Sequence, residues 1–263
     1  MALLGHERAG VFGALWTVFS QFRAHHEHAA AVRFLEGDRL ATAGFRQHGL
    51  AAAEHQVNIW SLTPAQSGSS TPQLVQQHQS AGLARCLAVR GSRVAVAAKN
   101  ELFLIDVAAN KRIATIATGS WFPWCAFTGH DTLVARCQQG SERHFCCWRL
   151  ESSADNADTA SSSDHKNSHS GSNGNDEQIT AVALWRVKSP AIIMQPAVCL
   201  AQRLFIYASD TSVLKLIDVD SGATSELIVK NASVNVGSRC CVASHSTAYV
   251  FAGGFDRNSA LLV

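Results

Sequence analysis

The chain is 263 residues long, 47% hydrophobic and 16% charged, with a net charge of +2. Those proportions exclude a disordered chain, and this length suffices for one all-β domain with a sizeable core. The positive charge is small and scattered without a Lys/Arg run, which argues against nucleic acid as a partner.

The first apolar run, Ala9 to Ser20, has Glu7 where a secretory leader would be positive, and no clean cleavage site follows. It reads as a strand. The next unit is the clearest. Val32 and Phe34 alternate as a half-buried strand requires, Gly37-Asp38 supplies a turn, and Leu40 to Gly44 returns. Gln56 to Trp60 forms a third strand, and a polar stretch from Pro64 to Thr71 leads to an outer one. A second unit runs through Ala84–Val89, Ser92–Val96, Leu102–Val107 and Lys111–Ile116. A third has Trp124–Phe127, Thr132–Ala135 and Phe145–Arg149. A fourth has Ala197–Leu200, Leu204–Tyr207 and Val213–Asp218, then a turn at Asp220-Ser-Gly222 and Ser225–Val229. A fifth has Arg239–Val242, Ala248–Asp256 and Ala260–Val263. No segment approaches the roughly 20 uninterrupted apolar residues of a spanning helix. The expectation is a soluble protein of the cytoplasm, with the nucleus left open.

Trp16, Trp60, Ile105, Trp148, Ile217 and Leu262 hold the same place in successive segments, at steps of 44, 45, 43, 69 and 45 residues. The long step contains Ser152 to Gln178, 27 residues whose apolar members are Ala154, Ala157 and Ala160. Without it the step is 69 − 27 = 42. The tract carries five acids against Lys166 and cannot offset its ordering entropy, so a disordered insertion is expected. A unit of roughly 40–45 residues built from four short strands is the pattern of a propeller blade.

The segment His28, Leu40-Ala-Thr42-Ala-Gly44 and Ile59-Trp60 resembles the WD40 repeat, with Ser61 where that repeat has Asp. The resemblance implies an all-β, WD40-like β-propeller over residues 10–263, with 152–178 as an insertion. Five blades, or a truncated or open larger propeller, are both compatible with the spacing. It also implies that a strand from Thr17 to Arg23 completes the last blade. In the family a His, a Ser/Thr, an Asp and the Trp form a buried network; His28, Thr42 and Trp60 match three of these. The Asp is missing because Phe45 to His55 are inserted in that turn. Asp210 and Asp256 stand at the same turn in later units, but no Trp follows them.

The remaining motifs carry no catalytic constellation. There is no Walker loop, no GxGxxG after a strand and no GxSxG elbow. His25-His26-Glu27-His28 is not a zincin arrangement, and Cys146-Cys147 and Cys240-Cys241 are not CxxC pairs. The eight cysteines read as small core residues. Asn231-Ala-Ser233 matches a glycosylation site, with meaning only in a secreted protein. Trp121 and Trp124 flank Pro123 where the chain reaches the third unit, and such aromatics serve as partner contacts. The expectation is a non-catalytic scaffold or complex subunit without cofactor or metal, binding other proteins. Its candidate surfaces are the loop carrying Trp121 and Trp124, the Phe45–His55 insertion and the acidic tract. The alternative is a phosphoinositide-binding propeller of the autophagy type, weakened because Leu227-Ile-Val-Lys-Asn231 lacks that group's Phe-Arg-Arg-Gly.

Overall fold

The computed structural model describes residues 2–5, 8–12, 18–22, 24–25, 28–46, 53–63, 72–152, 179–189, 198–200, 203–207, 213–228, 241–245 and 249–253. Side chains are described within 24–25, 29–45, 53–63, 72–152, 179–189 and 216–225. Among these residues every regular element is a β-strand. Neighbouring strands pair antiparallel and in sequence order.

At the N-terminus β1 (Ala2–Gly5), β2 (Arg8–Phe12) and β3 (Val18–Phe22) form a three-stranded sheet. β3 is the strand expected from Thr17–Arg23, but its described partner is β2. Closing that short local loop costs far less chain entropy than joining the two ends of the chain.

The first complete unit contains β4 (His28–Leu35), β5 (Arg39–Arg46), β6 (Glu54–Ser61) and β7 (Gln73–Ser80). Gly37 and Asp38 turn the chain between β4 and β5 with φ of 68° and 52°, a region these two residue types tolerate. The ends of the supposed Phe45–His55 insertion are themselves strand, since Phe45 pairs with His55 and Arg46 with Glu54. The two rings meet edge to face at 6.1 Å.

The next two units share one continuous ladder of β8 (Ala84–Arg90), β9 (Arg93–Asp106), β10 (Lys111–Phe127), β11 (Thr132–Gln139), β12 (Glu142–Ser152) and β13 (Ile179–Lys188). Fourteen extended residues would span roughly 45 Å. Yet the Val107 N–H donates to the Ser92 carbonyl at 2.9 Å, so β9 doubles back on itself. Asn100, with φ of 77°, marks the reversal. The first arm pairs with β8 and the second with β10. β10 in turn pairs with β9 up to Trp121 and with β11 from there to Phe127. One strand is thus the outer edge of the second unit and the inner strand of the third.

The fourth unit is β14 (Val198–Leu200), β15 (Arg203–Tyr207), β16 (Val213–Asp218) and β17 (Thr224–Ile228). β18 (Cys241–His245) and β19 (Tyr249–Gly253) begin a fifth. Its expected third strand, Ala260–Val263, and most of the 152–178 tract lie outside the described residues.

One register recurs in the first, third and fourth units. There the marker residue of the third strand opposes a leucine of the second: Leu40↔Trp60, Leu133↔Trp148 and Leu204↔Ile217. The aspartates that follow Ile105 and Ile217 fix the next turn. Asp106 Oδ1 accepts from the Ala108 and Ala109 amides at 2.7 and 3.0 Å, and Asp218 Oδ1 from the Ser221 amide at 2.9 Å.

Sheets pack face to face around two apolar layers. Leu35, Val57, Ile59, Leu87, Val94, Phe103 and Ile105 fill the space between the first and second units. Leu104, Phe122, Leu133, Phe145 and Trp148 fill the second, which Ile217 and Val219 join from the fourth unit. Burying each large side chain contributes about 1.5–3 kcal/mol. Gly222 has φ of 71°, and a Cβ there would lie 2.8 Å from the Trp185 ring. That gap lets Trp185 of β13 lie on the β16–β17 turn and donate its indole N–H to the Val219 carbonyl.

Candidate interaction site

The polar groups buried inside the first unit hold its strands. Thr42 Oγ1 accepts from the Trp60 indole N–H at 2.9 Å and lies 2.9 Å from His25 Nε2. The Asn58 amide donates to the Ala24 carbonyl at 3.2 Å. The histidine of this network is therefore His25, not His28. His28 sits in the ladder opposite Phe45, three residues along β5 from Thr42, or roughly 10 Å of strand. His25 lies in the bend before β4 and reaches the hydroxyl from outside the ladder. Glu101, also buried, accepts from Arg112 at 2.8 Å and from the Ala81 amide, tying the first unit to the second.

Strand direction sorts the turns onto two ends of the sheets. One end holds the β5–β6 turn, the Asn100 reversal, the β10 kink at Gly119–Trp121 and the β11–β12 turn at Gly140. The other holds the β4–β5, β8–β9 and β10–β11 turns, with the end of β12 at Ser152 and the start of β13 at Ile179. Trp121 and the paired ends of the Phe45–His55 segment thus share an end, and Ser152 and Ile179 are at the opposite one. A cleft of about 500 Å³ at that opposite end is lined by Glu36, Arg90, Gly91, Ser92, Arg93 and His130. Asp131 draws together Arg93, at 3.3 Å, and His130, at 2.9 Å.

Trp121 and Trp124 are not in a loop; both lie within β10. A register shift between them accommodates Pro123, which has no N–H for the ladder. Trp124 is 8% exposed, packed edge to face on Phe145 at 6.1 Å between centroids. Trp121 is half-buried and opposes Gln138, which opposes Arg143. One row deeper, Trp124 opposes Arg136, which opposes Phe145. Directly opposed residues share a sheet face, so two tryptophans, two arginines and a glutamine occupy one face. Arg136 was not expected. Its signal was a lone arginine inside the apolar run Thr132-Leu-Val-Ala-Arg-Cys137.

No protein-family model matches the chain, and no curated protein matches it. Many solved structures do. Three of them are dihydro-heme d1 dehydrogenase NirN in complex with DHE, the Cps50 (Swd1) beta-propeller domain of Myceliophteria thermophila and Hsv2 of Kluyveromyces lactis. Their identities are 14%, 14% and 11%, with TM-scores of 0.54, 0.54 and 0.50. The fold is a β-propeller. The matches cover 96%, 90% and 86% of this chain but 48%, 65% and 59% of those structures, so the chain spans about half to two thirds of their length. The sheets described above are its blades. The all-β propeller architecture expected from the sequence is the one observed. At these identities the likeness concerns the fold alone.

Within the blades, Cys86, Cys125, Cys137, Cys146 and Cys147 are buried. Cys137 and Cys146 approach to 3.0 Å between sulfurs. The contact with Cys146 holds the Cys137 thiol down at about 7 and pushes the Cys146 thiol up. Cys86 likewise falls to about 7 beside Cys125, which rises. Among the described residues no group of three or more His, Cys, Asp or Glu is arranged to hold a metal ion. Asp210, Asp256, Asn231 and the side chains of His26 and His28 lie outside the described residues.

Proposed function

We propose that this chain is a non-catalytic interaction scaffold, a propeller that binds other proteins of a multi-subunit complex. The observation that supports this reading best is the gathering of half-buried Trp121, Gln138 and Arg143 with the extended β5–β6 hairpin at one end of the blades. Half-buried aromatics beside arginine are the side chains that most often anchor protein partners. Several polar groups buried inside the blades hold strands together, as the His25–Thr42–Trp60 and Glu101–Arg112 contacts do. The propeller is taken to span residues 10–263 with 152–178 as an insertion, and the working compartment is the cytoplasm.

The test is affinity capture from cytoplasmic extract with mass spectrometry, comparing the intact chain, Trp121→Ala and a chain lacking residues 153–178. A reproducible set of subunits is expected with the intact chain, lost with Trp121→Ala and retained without the tract. Loss on removing the tract would move the contact to the other end. Capture of no protein, together with binding to phosphoinositide-containing vesicles, would favour the lipid-reading alternative.

A further inference from the structure

Arg136 is 5% exposed, and its Nε is buried without a hydrogen-bond partner. It forms no ion pair with a carboxylate among the described residues. Among the described residues, the charge of Arg143 pulls the Arg136 pKa down and the Cys137 thiol beside it pulls it up. Burial and this like charge pull the Arg136 guanidinium down to about 10. Among the described residues the Arg143 side chain has one hydrogen-bond acceptor, the Gln138 side-chain oxygen, which accepts from its Nε at 3.4 Å. An unpaired buried guanidinium costs a folded chain more stability than one matched by an anion.

We infer that Arg136 and Arg143, with Trp121 and Gln138 at the rim, form a subsite for a carboxylate on an acidic segment of a protein partner. This deepens the scaffold reading above and rests on it. Two guanidiniums present forked donors that match carboxylate geometry, and the Gln138 amide adds a further donor. Trp121 lies against the same rim and supplies apolar surface for the segment's backbone and aliphatic carbons. The site's positive charge selects the partner's sign, and the depth of Arg136 makes the contact a desolvated one, where charge pairing is strongest.

The experiment is fluorescence anisotropy on the full chain with three labelled hexapeptides of one sequence, carrying glutamate, glutamine or phosphoserine at two central positions. Melting of the same variants is followed in parallel. The glutamate peptide should bind and the glutamine peptide should bind at least tenfold more weakly. Arg136→Met should lose at least tenfold in affinity yet melt no lower than the parent, because it removes an unmatched charge. Arg143→Gln should weaken binding by a smaller factor, and Arg90→Gln, at the opposite end, should leave it unchanged. An Arg136→Met chain that melts well below the parent would show the guanidinium already satisfied within the fold, and would overturn the inference. Equal binding of the glutamate and glutamine peptides, or a phosphoserine peptide preferred tenfold over glutamate, would overturn it as well. The two readings fail separately. If Arg136→Met keeps the captured subunits that Trp121→Ala loses, the scaffold stands and the carboxylate subsite falls.

Discussion

Blade one and blade three share a register and differ in chemistry. Leu40↔Trp60 and Leu133↔Trp148 are equivalent pairs, so Thr42 corresponds to Ala135 and Asn58 to Cys146. In the first blade, Thr42 joins His25 to Trp60 and Asn58 reaches the Ala24 carbonyl. In the third, alanine and cysteine at those places leave that face apolar, with Leu133 and Trp148 buried on it. The blade-to-blade spacing survives because the leucine-to-tryptophan contact sets the sheet packing. The hydrogen-bond network is an addition that one blade has and the other lacks.

That comparison breaks first at the shared element. Leu40→Ala and Leu133→Ala should each cost about 2–5 kcal/mol in urea unfolding, by cavity formation at a fully buried site. Unequal costs, with one near zero, would show that the register is not a common packing rule. Gly222→Ala should cost about 2–3 kcal/mol, since it combines a positive φ with a Cβ 2.8 Å from the Trp185 ring. Its effect should appear as lost Trp185 fluorescence burial between blades three and four. Thr42→Val should cost about 1–3 kcal/mol by stranding the Trp60 indole N–H and its His25 contact. Thr42→Ser, which keeps the hydroxyl, should cost less, and equal costs would mean that the network adds nothing to blade one.

The smallest effect concerns pH. Burial lowers His78 below its usual value, and burial with Lys99 nearby lowers His55. The folded state therefore holds them neutral while the unfolded chain takes up protons near the ordinary histidine value. Their contribution is complete above about pH 6.5 and is lost as pH falls through the lower folded values. Stability measured at pH 5.5 should fall relative to pH 7.5, and His78→Gln should reduce that fall.

The repeat was legible because Trp60, Trp148 and Ile217 occupy one register position, each opposite a leucine, and position is what spacing reports. Asp106 and Asp218 were legible as strand ends, and the structure adds that each holds the following turn. The network histidine was misread by three residues, because spacing along a strand favours His28 whereas the contact is made from the bend at His25. The Trp121–Trp124 segment looked like a loop because of Pro123; the register shift that absorbs the proline leaves no sequence mark. Arg136 was hidden by its surroundings. Only the register shows that it shares a face with Arg143 and both tryptophans.

The most direct measurement is hydrogen–deuterium exchange of the full chain, alone and with its captured partner bound. The account predicts new protection at the Asn100 reversal, the Gly119–Trp121 kink and the 138–143 turn. The 36–38, 91–93 and 219–223 turns should exchange as before. Protection confined to those last turns would place the partner at the opposite end of the blades and contradict it.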